Sequence, residues 1–178
     1  GGVWRLVGEL QASERLVEIV EARLAVLTPQ ERGLLEFVAF GEPLTFAELD
    51  RLGDVDAAAS LEAKGLITVS PAGPDVQLRL AHPTYGEVVR DRVPFLRTRT
   101  IARALAEALE ATDTPSRDPL RVATLRMVGG GGDPTLMFEA ARTARWRYDF
   151  ALAERLARGS VEVGGGVEAQ LLAAQMAS

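Results

Sequence analysis

The sequence contains no cysteine, one histidine and one lysine among its 178 residues. Without cysteine, disulfides, cysteine-based zinc sites and thiol nucleophiles are excluded. A single histidine, His82, argues against a histidine-rich metal site and against a serine–histidine–aspartate relay. Lys64, the one lysine, does not stand in the GxxxxGK[ST] pattern of a phosphate-binding loop, and GxGxxG is absent as well. We therefore expect no catalytic residue, no metal site and no cofactor bound by this chain itself.

Long apolar runs are also missing. No run approaches the roughly 18–20 residues that a membrane-spanning helix needs. No signal-peptide pattern opens the chain. We therefore expect a cytoplasmic protein without membrane contact.

The chain also has no excess of positive charge, because its formal net charge is −5. Nucleic-acid-binding proteins gain much of their affinity by neutralising phosphates with basic side chains. The overall charge therefore argues against a free-standing DNA-binding protein.

What remains is the composition of a globular protein, with 47% apolar and 25% charged residues. The length allows one or two domains with a buried core. The first ten residues, GGVWRLVGEL, read as a strand-like piece without partner strands. We expect residues 1–11 to be the tail of a preceding domain.

Helix signals fill the next part of the chain. Two Thr-x-x-Glu patterns, at residues 28–31 and 45–48, match the capping box and predict two helix starts. Apolar residues spaced at i, i+3 and i+4 predict an earlier helix from Ser13 to about Leu27. A further helix is expected over residues 55–64.

A β-hairpin and another helix follow. Residues 66–80 read as two short strands around a turn rich in proline and glycine. A helix is then expected to open at His82 and Pro83. Three helices followed by a hairpin is the order of a winged helix, so we expect a winged-helix domain over residues 12–94.

The remainder, residues 95–178, is expected to be helical. Glycine runs at residues 129–132 and 164–166 are expected to be linkers between helices. The helix starts at Pro134 and Val167 lie 33 residues apart, close to the period of a tetratricopeptide helix pair. An alanine-rich helical hairpin of another kind gives a similar pattern and stays open. The expected fold is thus mainly α: a winged-helix domain with one β-hairpin, followed by tetratricopeptide-like helical hairpins.

The third helix of the expected winged helix lacks the means to read DNA. A DNA-reading helix presents Arg, Lys, Asn or Gln to the base edges of the major groove. Here the stretch DVDAAASLEAKG carries Asp54, Asp56 and Glu62 against Lys64, and the wing tip SPAGPD has no cation. Because these carboxylates repel phosphates, we expect no direct DNA contact by this module.

His82 is the candidate that we single out as a nucleotide sensor. A lone histidine before proline is commonly a helix cap or a structural side chain. An imidazole at a helix start also suits an anionic ligand such as a phosphate. Tyr85, one turn further on, would pack or bond beside it as a supporting residue. Both interpretations stay open.

Arginines cluster along the two helices that follow the hairpin. Acidic residues are interleaved with them, which favours a solvated helix face with ion pairs between successive turns. A domain-docking surface is the alternative. Its candidate residues are Arg90, Arg92, Arg97 and Arg99.

Four stretches together resemble a known family. They are LVEIVEARLAVLTPQERGLLEFVAFGEPLTFAEL, LEAKGLI, LRLAHPTYGEVVRDRVP and FALAERLAR. They are similar to the middle of large LuxR-family transcriptional regulators of the LAL type, which are signal-transducing STAND ATPases. The most specific stretch is residues 80–89, where AHP-x-YGEVV stands almost as the family has it.

The resemblance implies a P-loop ATPase domain before the winged helix, with residues 1–11 as its tail. It implies a long tetratricopeptide-like sensor array after the winged helix and a C-terminal LuxR-type helix-turn-helix that binds DNA. ATP or ADP would be the cofactor of the full-length protein, and the ATPase and DNA-binding domains would be intramolecular partners. An inducer or a protein would bind the helical region.

The resemblance also implies a role for His82. By motif context it matches a winged-helix histidine that contacts the phosphates of bound ADP in related STAND proteins. The sequence here is Ala81-His82-Pro83, whereas the best-known form is Met-His-Asp.

The expected function is that of a regulatory and interaction module. It would relay the nucleotide state of an ATPase domain to the helical sensor array of a transcriptional regulator. Two alternatives are a winged-helix DNA-binding transcription factor and a pure protein-interaction scaffold. We do not expect an enzyme, because no nucleophile lies near a base in the sequence.

Overall fold

A computed structural model describes residues 14–53, 55–73, 75–112 and 118–176 of the chain. Within these residues the fold consists of ten helices and one three-stranded antiparallel sheet, which confirms the expected mainly helical architecture. The helices are α1 (Glu14–Ala25), α2 (Pro29–Gly41), α3 (Phe46–Leu52), α4 (Val55–Ala63), α5 (Pro83–Arg92), α6 (Phe95–Ala111), α7 (Pro119–Gly129), α8 (Pro134–Trp146), α9 (Phe150–Glu162) and α10 (Val167–Met176). The strands are β1 (Leu44–Thr45), β2 (Ile67–Ala72) and β3 (Asp75–Leu80). The expected tail at residues 1–11 and the start of the first helix at Ser13 lie outside the described residues.

Both predicted capping boxes are confirmed. The backbone N–H of Glu31 donates to Thr28 Oγ1 at 3.2 Å, and the N–H of Thr28 donates to Glu31 Oε2 at 2.8 Å. At the start of α3 the N–H of Glu48 donates to Thr45 Oγ1 at 3.4 Å, and the return bond is 2.8 Å long. Each box satisfies backbone donors that a helix start otherwise leaves free, and each cap contributes about 1 kcal/mol.

The sheet has the strand order β1-β3-β2. The predicted hairpin is present and pairs Ile67 with Leu80, while β1 pairs Leu44 with Leu78. Strand β1 was not predicted, because two residues are too few to show an alternating pattern. Its Leu44 is fully buried. The resulting element order is helix, strand, helix, helix and hairpin.

One hydrophobic core joins the first six helices and the sheet. Its members include Leu35 on α2, Leu61 on α4 and Ile67 on β2. The same cluster contains Ile101 and Leu105 of α6, both fully buried. It also contains Val122 and Leu125 of α7. The domain boundary expected between residues 94 and 95 therefore lies inside a continuous core, and the division itself stays a prediction.

A second core holds the C-terminal helices together. It consists mainly of small side chains, which let α8 and α9 approach closely: Ala140, Ala141, Ala144, Ala153, Ala157 and Leu156. Among the described residues, no helix combines the length and the apolar character needed to cross a membrane.

The glycines at residues 129–132, expected to be a linker, have more defined positions. Gly129 is the last residue of α7, and Gly130 follows it as the C-cap with a φ of 77°. The N–H of Gly131 donates to the carbonyl of Arg126 at 3.1 Å, which closes the helix end. Only the glycines after Gly130 connect to the next helix.

Candidate functional site

The joint between β3 and α5 places His82 at the surface. The strand ends with the N–H of Ala81 donating to the carbonyl of Leu66 at 3.0 Å. His82 then has extended dihedrals (φ −149°, ψ 140°) and acts as the N-cap of α5. Its Nδ1 accepts a hydrogen bond from the N–H of Thr84 at 3.2 Å. Pro83 occupies the first helical turn, where its missing N–H costs nothing.

This cap also determines what the exposed ring of His82 presents to solvent. A neutral imidazole has one accepting and one donating nitrogen. Because Nδ1 accepts from Thr84, the hydrogen of the neutral ring is on Nε2. The joint therefore presents one N–H donor at a helix N-terminus, where the helix dipole favours anions.

Tyr85 lies beside His82 and links three parts of the fold. The two rings meet edge to face with their centroids 6.4 Å apart. The hydroxyl of Tyr85 accepts a hydrogen bond from Arg23 Nη1, and the Arg23 guanidinium lies 5.9 Å from the Tyr85 ring centre. Arg23 Nη2 donates in turn to the carbonyl of Lys64 at 3.2 Å. The cluster thus joins α1, α5 and the segment between α4 and β2.

A second polar cluster surrounds the buried carboxylate of Glu31. Its Oε1 accepts from Lys64 Nζ and from Ser60 Oγ, the latter at 2.5 Å. Its Oε2 accepts from the backbone of Thr28. Hydrogen bonds from Lys64 first, and then from Ser60, lower the pKa of Glu31 from 4.5 to about 2. Lys64, an exposed residue, therefore reaches a carboxylate that is itself buried.

The exposed face of α4 carries no positive charge. Its exposed residues include Asp56 and Glu62, and the helix itself contains no Arg or Lys. Lys64 follows the helix but pairs with Glu31. The helix therefore offers no Arg, Lys, Asn or Gln to read base edges, and its one serine, Ser60, donates to Glu31 instead.

The four candidate docking arginines all contact other helices. Arg90 donates to the carbonyl of Ala39 near the end of α2 at 2.5 Å. Arg97 pairs with Glu36 of α2 at 2.8 Å, and Arg92 pairs with Glu21 of α1. Arg99 donates to the carbonyl of Gly129 at the end of α7 and lies 6.0 Å from the Phe95 ring.

The ion partners of these arginines differ from the sequence interpretation. Pairs between successive turns of one helix were favoured, whereas the carboxylates lie on α1 and α2. The guanidiniums connect α5 and α6 to the rest of the molecule. Exposed pairs of this kind contribute less than about 1 kcal/mol each.

A cleft of about 330 Å³ opens between α1, α2 and α5. Its floor is apolar and includes Leu24, Leu35 and Val89, while charged side chains including Arg32 and Arg92 form the rim. The cleft lies at the C-terminal end of α5, at the opposite end from His82. The structure therefore does not bring the predicted histidine and the cleft together.

The sequence interpretation missed Arg23 and the second role of Glu31. Arg23 bonds to a residue 62 positions away, and no local pattern announces such a contact. Glu31 was recognised as part of a capping box, but its bonds to Ser60 and Lys64 span about thirty residues. The signal that was present, one glutamate at a helix start, was explained by the cap alone.

Similarity to other proteins gives no further information about this chain. Comparisons of the chain with protein-family models, with curated proteins and with solved structures gave no match.

Proposed function

We propose that this chain is a regulatory and interaction module without catalytic activity of its own. In the proposal, a winged-helix domain and tetratricopeptide-like hairpins relay the nucleotide state of an ATPase domain to a helical sensor array. The whole protein would be a transcriptional regulator that resembles the LuxR family of the LAL type.

The element order supports the winged-helix part of this proposal. Helix α2 is followed by β1, the pair α3 and α4, and the hairpin of β2 and β3. The short strand β1 closes the sheet against β3, so that the hairpin is held to the helices. The pairing of α8 with α9, and of α9 with α10, supports the tetratricopeptide-like part.

The single observation that carries the proposal is the state of His82. The ring is exposed at the N-terminus of α5, and its Nδ1 is held by the N–H of Thr84. The Nε2–H group is therefore oriented before any ligand arrives. A donor at a helix N-terminus matches the oxygen atoms of a phosphate.

The acidic α4 supports a role other than DNA reading. A winged helix that binds DNA needs several cations against the phosphates and base-reading side chains on this helix. The exposed face here carries Asp56 and Glu62 instead. We expect no binding of duplex DNA below micromolar Kd at physiological salt. Fluorescence anisotropy with labelled duplex DNA measures it, and tighter binding would favour the DNA-binding alternative.

The sensing role of His82 is tested in the protein that contains the ATPase domain, with two variants. His82→Ala removes both the cap and the donor. His82→Asn keeps an oxygen that caps α5 but places no donor where Nε2–H stands. We expect both variants to weaken ADP binding about tenfold or more, as the loss of a hydrogen bond to a charged group implies.

A purely structural histidine predicts a different pattern. His82→Ala would then lower the melting temperature, His82→Asn would leave it near that of the wild type, and ADP affinity would be unchanged in both. Calorimetric titration with ADP and thermal unfolding of the same samples separate the two cases. The structural pattern would favour the pure interaction scaffold.

A further inference from the structure

The turn between α8 and α9 exposes three large aromatic side chains. Trp146 is 84% exposed, Tyr148 82% and Phe150 52%. They alternate with polar residues in the stretch WRYDF, so that three rings stand on one short connection. Large apolar side chains that are exposed close together mark candidate interaction sites.

The backbone of this turn is strained at an aromatic residue. Tyr148 has a φ of 61°, in the left-handed region that glycine and asparagine adopt most easily. The turn is held by the N–H of Tyr148 on the carbonyl of Arg145 at 3.0 Å and by the N–H of Asp149 on the carbonyl of Ala144 at 3.0 Å. The Tyr148 and Phe150 rings meet edge to face at 6.2 Å. A large side chain at a strained and exposed position suggests a function outside the fold.

Three arginines lie beside the rings, and the one carboxylate within the turn, Asp149, caps α9 by accepting from the N–H of Leu152 at 3.1 Å. Arg142 pairs with Glu139 at 3.1 Å, and Arg147 pairs with Asp118 at 3.2 Å. Arg145 instead donates to the neutral Oε1 of Gln175 at 3.2 Å. Among the described residues, no carboxylate forms an ion pair with Arg145.

We propose that the aromatic turn, formed by Trp146, Tyr148 and Phe150 with Arg145, docks an acidic peptide segment of a protein partner. An apolar side chain of the partner covers the rings, and one Asp or Glu carboxylate pairs with Arg145. A cavity of about 350 Å³ lined by Arg142, Arg145, Trp146 and Tyr148 receives the segment. Tryptophan, tyrosine and arginine are the residues that most often dominate binding energy at protein interfaces.

The charge balance favours a peptide over a polyanion. A nucleic acid or an anionic lipid surface is bound by several cations at once. Two of the three arginines here are already neutralised by Glu139 and Asp118. A partner with one carboxylate beside an apolar side chain matches the turn better. This inference is independent of His82 and of nucleotide.

Binding is measured by the fluorescence of Trp146 in the full chain carrying Trp4→Phe, which removes the second tryptophan. The probes are two synthetic sets of twelve-residue peptides. In the acidic set, Asp and Glu alternate with Leu, Phe and a non-fluorescent analogue of Trp. In the basic set, Lys and Arg replace Asp and Glu. We expect binding by members of the acidic set only.

Variants assign the binding to the turn. Arg145→Gln and Trp146→Ala are each expected to weaken binding about tenfold or more. Because Trp146→Ala removes the fluorescent reporter, its binding is measured with a labelled peptide. Phe95→Ala is the matched control, because Phe95 is also aromatic and 73% exposed but lies on α6. It should leave the affinity unchanged.

Tyr148→Gly separates binding from folding. Glycine relieves the left-handed strain, so the melting temperature should stay equal or rise, while peptide affinity should fall. Failure of the acidic set to bind, equal binding of the basic set, or affinity unaffected by Arg145→Gln would overturn the proposal. So would tighter binding to single-stranded DNA or to anionic phospholipid vesicles than to any peptide.

Discussion

At the scale of the residue, the Glu31 side chain contacts two separate elements of the fold. One carboxylate oxygen completes the cap at the start of α2, and the other accepts from Ser60 and Lys64 at the end of α4. The only lysine of the chain forms this ion pair from the protein surface. Because the charged form of Glu31 receives three hydrogen-bond donors, its pKa falls to about 2.

This pKa predicts a loss of stability in acid. The folded pKa of about 2 lies below the ordinary value of 4.5, so the contribution is present above about pH 4.5 and is lost as the pH falls towards about 2. We expect Glu31→Gln to destabilise the chain at neutral pH and to reduce its pH dependence in that window. Urea unfolding at several pH values measures both effects.

The exposed Glu139 provides the control for this prediction, because it forms a pair only on the surface of α8. Glu139→Gln should leave stability nearly unchanged at neutral pH. If Glu31→Gln followed the same acid profile as the wild type, the bonds from Lys64 and Ser60 would not be what holds the carboxylate ionised.

At the scale of the element, the end of α7 depends on a single glycine. Gly130 has a φ of 77°, and both Arg99 and Arg103 of α6 donate to the carbonyl of Gly129 beside it, at 3.5 and 3.1 Å. A Cβ on Gly130 would overlap the guanidinium of Arg99. The C-terminal end of α7 and its contact with α6 therefore both require a residue without a side chain at position 130.

We expect Gly130→Ala to destabilise the chain by about 1–2 kcal/mol, the usual cost of a left-handed conformation for a residue with a Cβ. Gly131→Ala is the matched control, since nothing lies within 4 Å of a Cβ there. Thermal unfolding of the two variants measures the difference. Equal melting temperatures would contradict the role assigned to Gly130.

The close contact of α8 with α9 makes a second prediction about elements. Ala153 is fully buried between these helices, whereas Ala151 on the same helix is exposed. Ala153→Leu adds three carbon atoms to a packed site and should cost about 1–3 kcal/mol. Ala151→Leu is the same substitution on the solvent side and should change stability little. Chemical unfolding of both variants measures the two costs, and equal costs would contradict the tight packing assigned to Ala153.

Elements defined by local signals could be predicted from the sequence, and those defined by distant partners could not. The starts of α2 and α3 were predicted because a capping box is complete within four residues. Strand β1 was not, because only its pairing with β3 makes it a strand. At the candidate site, the cap by His82 follows from the residues next to it, but the Arg23 contact with Tyr85 depends on tertiary packing.

At the scale of the whole molecule, α6 connects the two halves of the chain. Leu105 of α6 would lie 2.5 Å from a Cβ on Gly41, which places the end of α2 directly against it. Arg121 of α7 donates to the carbonyl of Gly41, and burial lowers the pKa of its guanidinium. The partner helices of α2 therefore extend well beyond residue 94.

This continuity predicts that a chain ending at Pro94 does not fold to the same stability as a chain ending at Gly131. The shorter chain loses Ile101 and Leu105, whose removal from a core costs about 2–5 kcal/mol each when either is cut to alanine. A loss of that size is comparable to the whole stability of a small domain. We expect the chain ending at Gly131 to unfold cooperatively and the shorter one to bind a dye that detects exposed apolar surface. Cooperative unfolding of the shorter chain at an undiminished melting temperature would instead establish residues 12–94 as an independent domain, on which α6 packs without being needed.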